Sequence, residues 1–288
     1  MSARLRFGKA HGLGNDFLLV EQAWAPAALP EWGRRLCDRH TGVGADGVLV
    51  YAVSADRVQM RLVNADGSDG DLSANGVRCL AAWCVDQGWL PASHVVETPP
   101  GPRPALVERR GAGRYRVRTD LGRPRLASGD VPIDLDPARE PVTDLEIDVG
   151  GERVRVTATS MGNPHCTLLL DEVADDALIA RLGPALERHP LFPRRTNVEF
   201  ATPLERDRLR VRFWERGVGP TRASGTGSSA ASVAAMLAGR VERRVTAVCD
   251  GGELEIEWPE GGPLIQTGDV EIVFAGEWLG PEPGQAEA

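Results

Sequence analysis

Asn15, Asn64, Asn75, Asn163, His165, Asn197, Glu215, Arg216, Ser224 and Thr226 lie in or beside turns flanked by glycine. An asparagine at a turn is commonly structural, because it tolerates left-handed backbone and caps its own chain. Ten such residues, with a His, a Glu and an Arg among them, are harder to assign to turn-making alone. The usual cofactor and metal signatures are missing. No Gly-x-x-x-x-Gly-Lys or His-Glu-x-x-His occurs. Cys79 and Cys84 are five apart within a helical pattern, which is core spacing rather than zinc spacing. Pyridoxal phosphate needs a Schiff-base lysine, and the one lysine among 33 basic residues, Lys9, falls in an N-terminal strand pattern. The residues therefore suggest chemistry by side chains and backbone, with no metal and no cofactor.

Two stretches must position these groups. A strand-like run, Val58 to Val63, ends at Asn64; a polar loop follows, and Ser73-Ala74-Asn75-Gly76 opens an Ala-rich apolar segment that stops before Gly88. Later, Leu209 to Trp214 leads to Glu215-Arg216, a Gly-containing loop, Ser224-Gly225-Thr226-Gly227 and the Ala-rich segment Ser228 to Ala238. Asn64 precedes Ser73 by nine positions and Glu215 precedes Ser224 by nine; the two serines are 151 apart, about half of the 288 residues. Ser and Asn are N-cap residues and Gly a C-cap residue. The spacing predicts two related halves, each presenting a helix N-terminus, whose amides favour an anion, to a shared site.

The rest of the chain reads as short strands. Leu5 to Lys9 and Phe17 to Glu21 flank the turn His11 to Asp16, and Trp32 to Arg39 has helical spacing. Gly42-Val-Gly-Ala-Asp-Gly47 matches the dinucleotide fingerprint, but it follows a helix and opens a strand, the reverse of the required context, and reads as a turn. Leu121 to Pro141, rich in Pro, Gly and Asp, marks a join, so residues 1–121 and 122–269 form the two halves. Ala174 to Arg188 is an amphipathic helix, and Val270 to Phe274 a last strand. The fold class expected is α+β: two similar domains, each a sheet wrapped around a central helix, with a ligand cleft between them.

Composition sets the remaining bounds. Hydrophobic content of 42% and charge of 26% are ordinary for a soluble globular protein. A net charge of −8 argues against a nucleic-acid surface, and no 18-residue apolar stretch predicts a membrane span. Five cysteines without a paired framework, and no signal-peptide pattern, suit reduced thiols in the cytoplasm.

The motifs His11-Gly-Leu-Gly-Asn-Asp-Phe17, Gly42 to Gly47, Asn64-Ala-Asp-Gly-Ser68, Asn75-Gly-Val-Arg-Cys79, Ser160-Met-Gly-Asn-Pro-His165, Thr196-Asn-Val-Glu-Phe200, Trp214-Glu-Arg-Gly-Val-Gly219 and Gly225-Thr-Gly227 occur in an order that resembles the diaminopimelate epimerase family, of the cofactor-independent amino-acid racemase superfamily. The resemblance covers nearly the whole chain. It implies inversion of LL-2,6-diaminopimelate to the meso form, a step toward lysine and peptidoglycan precursors, by one group removing the α-proton while another delivers a proton to the opposite face. It also implies homodimers, a final strand (270–288) that returns to the first half, and a small-molecule amino-acid substrate, with no nucleic-acid or membrane partner. The family's substrate contacts fall on Asn15, Asn64, Asn75, Asn163, Asn197, Glu215 and Arg216, with the helix-start amides at Ala74, Asn75, Gly225 and Thr226. His165 and Glu215 would assist the proton-carrying groups.

Both positions where the family carries catalytic cysteine are serine, Ser73 and Ser224. Ala74 stands where Gly is usual, and Ser228-Ser229 where Ala-Cys is common. Free cysteine titrates near roughly 8.5, so a modest shift gives thiolate at neutral pH; a hydroxyl needs an adjacent general base. Three readings follow: an epimerase working through His165, Glu215 or water; a one-base isomerase or lyase using Glu215; and a binding protein that keeps the amino-acid pocket.

Overall fold

The computed structural model describes residues 5–25, 28–70 and 72–280. These comprise seventeen strands and four α-helices, dividing into a unit of residues 1–119 and 268–288 and a unit of residues 120–267. Part of the expected final segment, 281–288, lies outside the described residues.

In the first unit, β1 (Arg6–Gly12), β2 (Asn15–Glu21), β3 (Gly47–Val53), β4 (Arg57–Asn64), β6 (Ser93–Thr98), β7 (Gly101–Gly111) and β8 (Arg114–Asp120) pair in sequence around a ring, with β5 (Asp69–Gly70) a short addition on β4. The last strand, β17 (Ile265–Glu277), closes the ring by pairing with both β8 and β1. Inside runs α2 (Ala74–Asp86), buried from Ala74 to Cys84. Its alanines let it lie close to the strands, and Leu80, Trp83, Phe17, Leu49 and Val117 fill the space between. Such a helix, apolar on every side, is stable only when enclosed. Outside the ring, α1 (Leu29–Cys37) covers β3 and β4.

The second unit repeats the scheme. Its order is β9 (Val142–Val149), β10 (Glu152–Ser160), β11 (Pro164–Leu169), β12 (Asn197–Glu205), β13 (Arg208–Glu215), β15 (Arg244–Cys249), β16 (Gly252–Glu257) and the first residues of β17, with the short β14 (Gly219–Thr221) on β13. The parallel pairs β11–β12 and β13–β15 match β2–β3 and β4–β6 of the first unit. The central helix is α4 (Gly225–Leu237), buried from Gly225 to Met236, and the outer helix is α3 (Asp176–Glu187). The two-domain α+β architecture predicted by the sequence is therefore present.

Several element limits move. The first helix runs from Leu29 rather than Trp32, because Pro30 suits a first turn and lacks only an N–H the helix start cannot use. It ends at Cys37 because Asp38 leaves helical geometry and accepts the amides of His40 and Thr41. The last strand begins at Ile265, five residues before the expected Val270; Gly268 had concealed its continuity. The glycine hexamer lies between α1 and β3, as a turn. There the Gly42 amide donates to Asp38 O at 3.0 Å, and a Cβ at Gly42 would collide with Arg35 O and stand 2.8 Å from both Leu36 O and Asp38 O. Backbone cannot yield as a side chain does, so Gly42→Ala is expected to destabilise the protein by about 2–3 kcal/mol. Chemical denaturation measures it; a loss below about 0.5 kcal/mol would remove this explanation of the hexamer.

Candidate functional site

Each central helix starts in the same way. Ser73 has extended backbone (φ −115°, ψ 113°), and its Oγ accepts the Gly76 amide at 3.0 Å. Ser224 has φ −136° and ψ 121°, and its Oγ accepts the Gly227 amide at 3.3 Å. In each case the serine carbonyl accepts the first helical hydrogen bond, from Val77 and from Ser228. The amides of Ala74 and Asn75, and those of Gly225 and Thr226, therefore stand ahead of the helical ladder, where anions are stabilised. Both hydroxyls are N-caps, a role serine performs well.

In the first unit, Asn75 is buried and donates through Nδ2 to Asn15 Oδ1 at 3.0 Å, while the fully buried Arg78 donates to Asn75 Oδ1. Asn15 Nδ2 donates to Asp46 Oδ2 at 2.7 Å. Asp46 shares Arg39 with Asp16, at 2.8 and 2.7 Å, and Asp16 also takes Lys9 Nζ at 2.5 Å. Burial raises the Asp16 carboxyl, but the Arg39 and Lys9 bonds more than reverse this and hold it at about 2. Asn64 sits apart in its own turn, donating to Ser68 Oγ at 3.0 Å. Ser73, Ala74, Asn75 and Asn15 are thus brought together. Arg78, Asp16 and Asp46 were not singled out from the sequence, although Arg78, three residues after Asn75 on an otherwise small and apolar helix, is a legible signal.

In the second unit, His165 on β11 and Glu199 on β12 are 0% and 1% exposed. His165 Nδ1 lies 2.7 Å from Glu199 Oε1, and its Nε2 lies 2.8 Å from Asn163 Oδ1. Asn163 Nδ2 reaches Thr226 Oγ1 at 3.4 Å, linking the chain to the first turn of α4. Burial raises the Glu199 carboxyl, while His165 and Thr167 pull it back. Asn197 donates to Pro164 O at 3.1 Å and accepts the Arg216 amide at 3.0 Å, so it ties the β11 turn to the Glu215-Arg216 turn. Thr221 donates to Glu215 Oε1 at 2.6 Å. The buried Glu187, at the end of α3, accepts the Trp214 indole at 2.8 Å and the Gly217 amide at 3.0 Å, gripping the same turn from both sides. Glu199 and Glu187 were missed. Glu199 shares a strand face with Asn197, two residues earlier, and an acidic residue inside an apolar strand is the signal that marks it.

The five cysteines are all unpaired and buried. Burial pushes Cys37, Cys79 and Cys84 up to about 12. Among the described residues, no group of three or more His, Cys, Asp or Glu is placed to hold a metal ion, and no helix is long and apolar enough to cross a membrane.

The fold is shared with solved racemase-like and isomerase-like proteins. A hydroxyproline epimerase from Agrobacterium vitis with bound trans-4-hydroxy-L-proline superposes with TM-score 0.67 at 14% identity, covering 95% of this chain and 90% of that one. A PhzF-family phenazine biosynthesis protein from Bacillus anthracis gives TM-score 0.67 at 13% identity, covering 96% and 99%. Sequence narrows the class further. The diaminopimelate epimerase family matches residues 7–127 and 157–273. The diaminopimelate epimerase of Pelotomaculum thermopropionicum is 44% identical over 95% of this chain and 99% of its own length. That of Synechocystis is 43% identical over 95% and 98%. The chain belongs to the diaminopimelate epimerase family.

Proposed function

We propose that this chain inverts LL-2,6-diaminopimelate to the meso form without a cofactor, as a cytoplasmic homodimer, binding its substrate through Asn15, Asn64, Asn75, Asn163, Asn197 and Arg216. The observation that carries the reading is similarity at 44% identity across 95% of the chain. The reaction builds carbanionic charge on the substrate carboxylate, and the amides of Ala74, Asn75, Gly225 and Thr226 are preorganised donors for that charge. Ser73 and Ser224 occupy the positions of the two proton-carrying groups. Glu215, with Thr221 on one carboxylate oxygen, and His165 assist the proton-carrying groups.

One observation favours a second reading. Among the described residues, neither serine hydroxyl is hydrogen-bonded to a general base; each accepts a helix amide instead. A hydroxyl so placed is a poor proton carrier, which suits a weakened epimerase, a one-base enzyme working through Glu215, or an amino-acid-binding homologue. Each of these readings keeps the amino-acid ligand. Calorimetric titration with LL- and meso-diaminopimelate should therefore give heat and thermal stabilisation. If neither isomer produces either signal, the whole substrate assignment fails.

A further inference from the structure

The buried pair His165–Glu199 carries a consequence for Asn163. Both ring nitrogens of His165 face oxygen: Glu199 Oε1 at 2.7 Å and Asn163 Oδ1 at 2.8 Å. An amide carbonyl oxygen only accepts, so the hydrogen in the second contact must sit on Nε2. The first contact also needs a hydrogen, borne by Nδ1 or by the carboxyl. Histidine and glutamate together then hold two hydrogens across these contacts and have no net charge. Removing one would leave a single negative charge on a pair 0% and 1% exposed, which is strongly unfavourable.

The surroundings reinforce this state. Thr159, opposite His165 in the β10–β11 register, carries no charge, and neither does Thr226 on α4, reached through Asn163. Cys166 is buried and its thiol is raised well above its ordinary range by burial and then by Glu199. Thr167 donates to Glu199 Oε2 at 3.3 Å. A Cβ at Gly227 would stand 3.0 Å from Glu199 Oε1, so the carboxyl lies directly beneath the first turn of α4.

We propose that Glu199 is a positioning residue: by keeping two hydrogens on the buried pair, it fixes His165 Nε2–H as a donor and thereby sets which way the Asn163 amide faces. The carbonyl of Asn163 is turned to the histidine, and its NH2 is turned to Thr226, two residues after Ser224. His165 in this state is a donor that orders Asn163 rather than a free base. The consequence for turnover rests on the proposed role of Asn163 as a substrate contact; the hydrogen assignment does not.

Nitrogen-15 NMR of histidine-labelled protein at neutral pH, without substrate, tests the assignment. The His165 signal is identified by its loss in His165→Gln. The expected result is a one-bond N–H coupling at Nε2. A bare Nε2 in the native protein overturns the proposal, and this measurement needs no variant at position 199 to fold. Glu199→Gln and Glu199→Ala, checked for folding by circular dichroism, supply the second arm. At least one should alter the His165 nitrogen spectrum, and α-proton exchange of diaminopimelate should fall by about 10- to 100-fold, the usual effect of losing an orienting partner. If both variants fold with an unchanged nitrogen spectrum, Glu199 is structural only and the proposal fails. If the native protein binds no diaminopimelate while Nε2–H is present, the substrate reading is wrong and the positioning role stands.

Discussion

Replacing Ser73 and Ser224 together by cysteine should accelerate exchange of the diaminopimelate α-proton into deuterium oxide by about 10²- to 10⁴-fold, the usual worth of a well-matched acid–base group. The reason is acidity. A thiol titrates near roughly 8.5 and is lowered further at a helix N-terminus, whereas each hydroxyl here is engaged as an N-cap. Each single change should help less, since inversion needs an acceptor on one face and a donor on the other. Proton NMR of the native protein, both single variants and the double variant measures exchange and inversion together. Native exchange as fast as that of the double variant would show that serine is competent and the acidity argument mistaken. Exchange without inversion would move the one-base reading ahead, and binding without exchange in all four proteins would leave an amino-acid-binding homologue.

The second large effect concerns stability. Asp16→Asn is expected to destabilise the folded state by about 3–5 kcal/mol, because Lys9 would remain buried with its charge uncompensated. Lys9 is 9% exposed and Asp16 8%. The same pair sets an acid limit. The Asp16 carboxyl is moved from 3.8 down to about 2; its contribution is complete above pH 3.8 and disappears as pH falls through about 2. The shift corresponds to roughly 2 kcal/mol. Denaturant unfolding at pH 7 and at pH 3 checks both statements. A loss under about 1 kcal/mol at pH 7 would mean that Lys9 does not depend on the Asp16 carboxylate for compensation.

Much of this was legible beforehand because the signals are local. The serine N-caps, the alanine-rich helix interiors and the strand–loop–helix spacing of nine all follow from short-range rules, and the structure carries them at Ser73 and Ser224. The long-range partners were not legible. Glu199 is adjacent to nothing ionisable in sequence and meets His165 only because β11 and β12 run parallel, with Thr167 opposite Glu199 in register. Glu187 reaches the Glu215 turn from α3, 28 residues upstream. Arg39 and Asp46 join Asp16 where β2 and β3 run parallel, with Phe17 opposite Gly47 in register. Periodicity identifies a face of an element, but not which element lies against it.

The burial of all five thiols has a consequence for how this protein meets oxidants. Peroxides and alkylating agents attack thiolates that solvent can reach. Here every thiol is enclosed, and the two helix starts where a reactive sulfur would be expected bear oxygen instead. A cysteine placed at either helix start would put a reactive sulfur where a substrate carboxylate is expected, within reach of a small peroxide. This chain offers no such target: whatever turnover serine supports would survive oxidative exposure that silences a thiol enzyme.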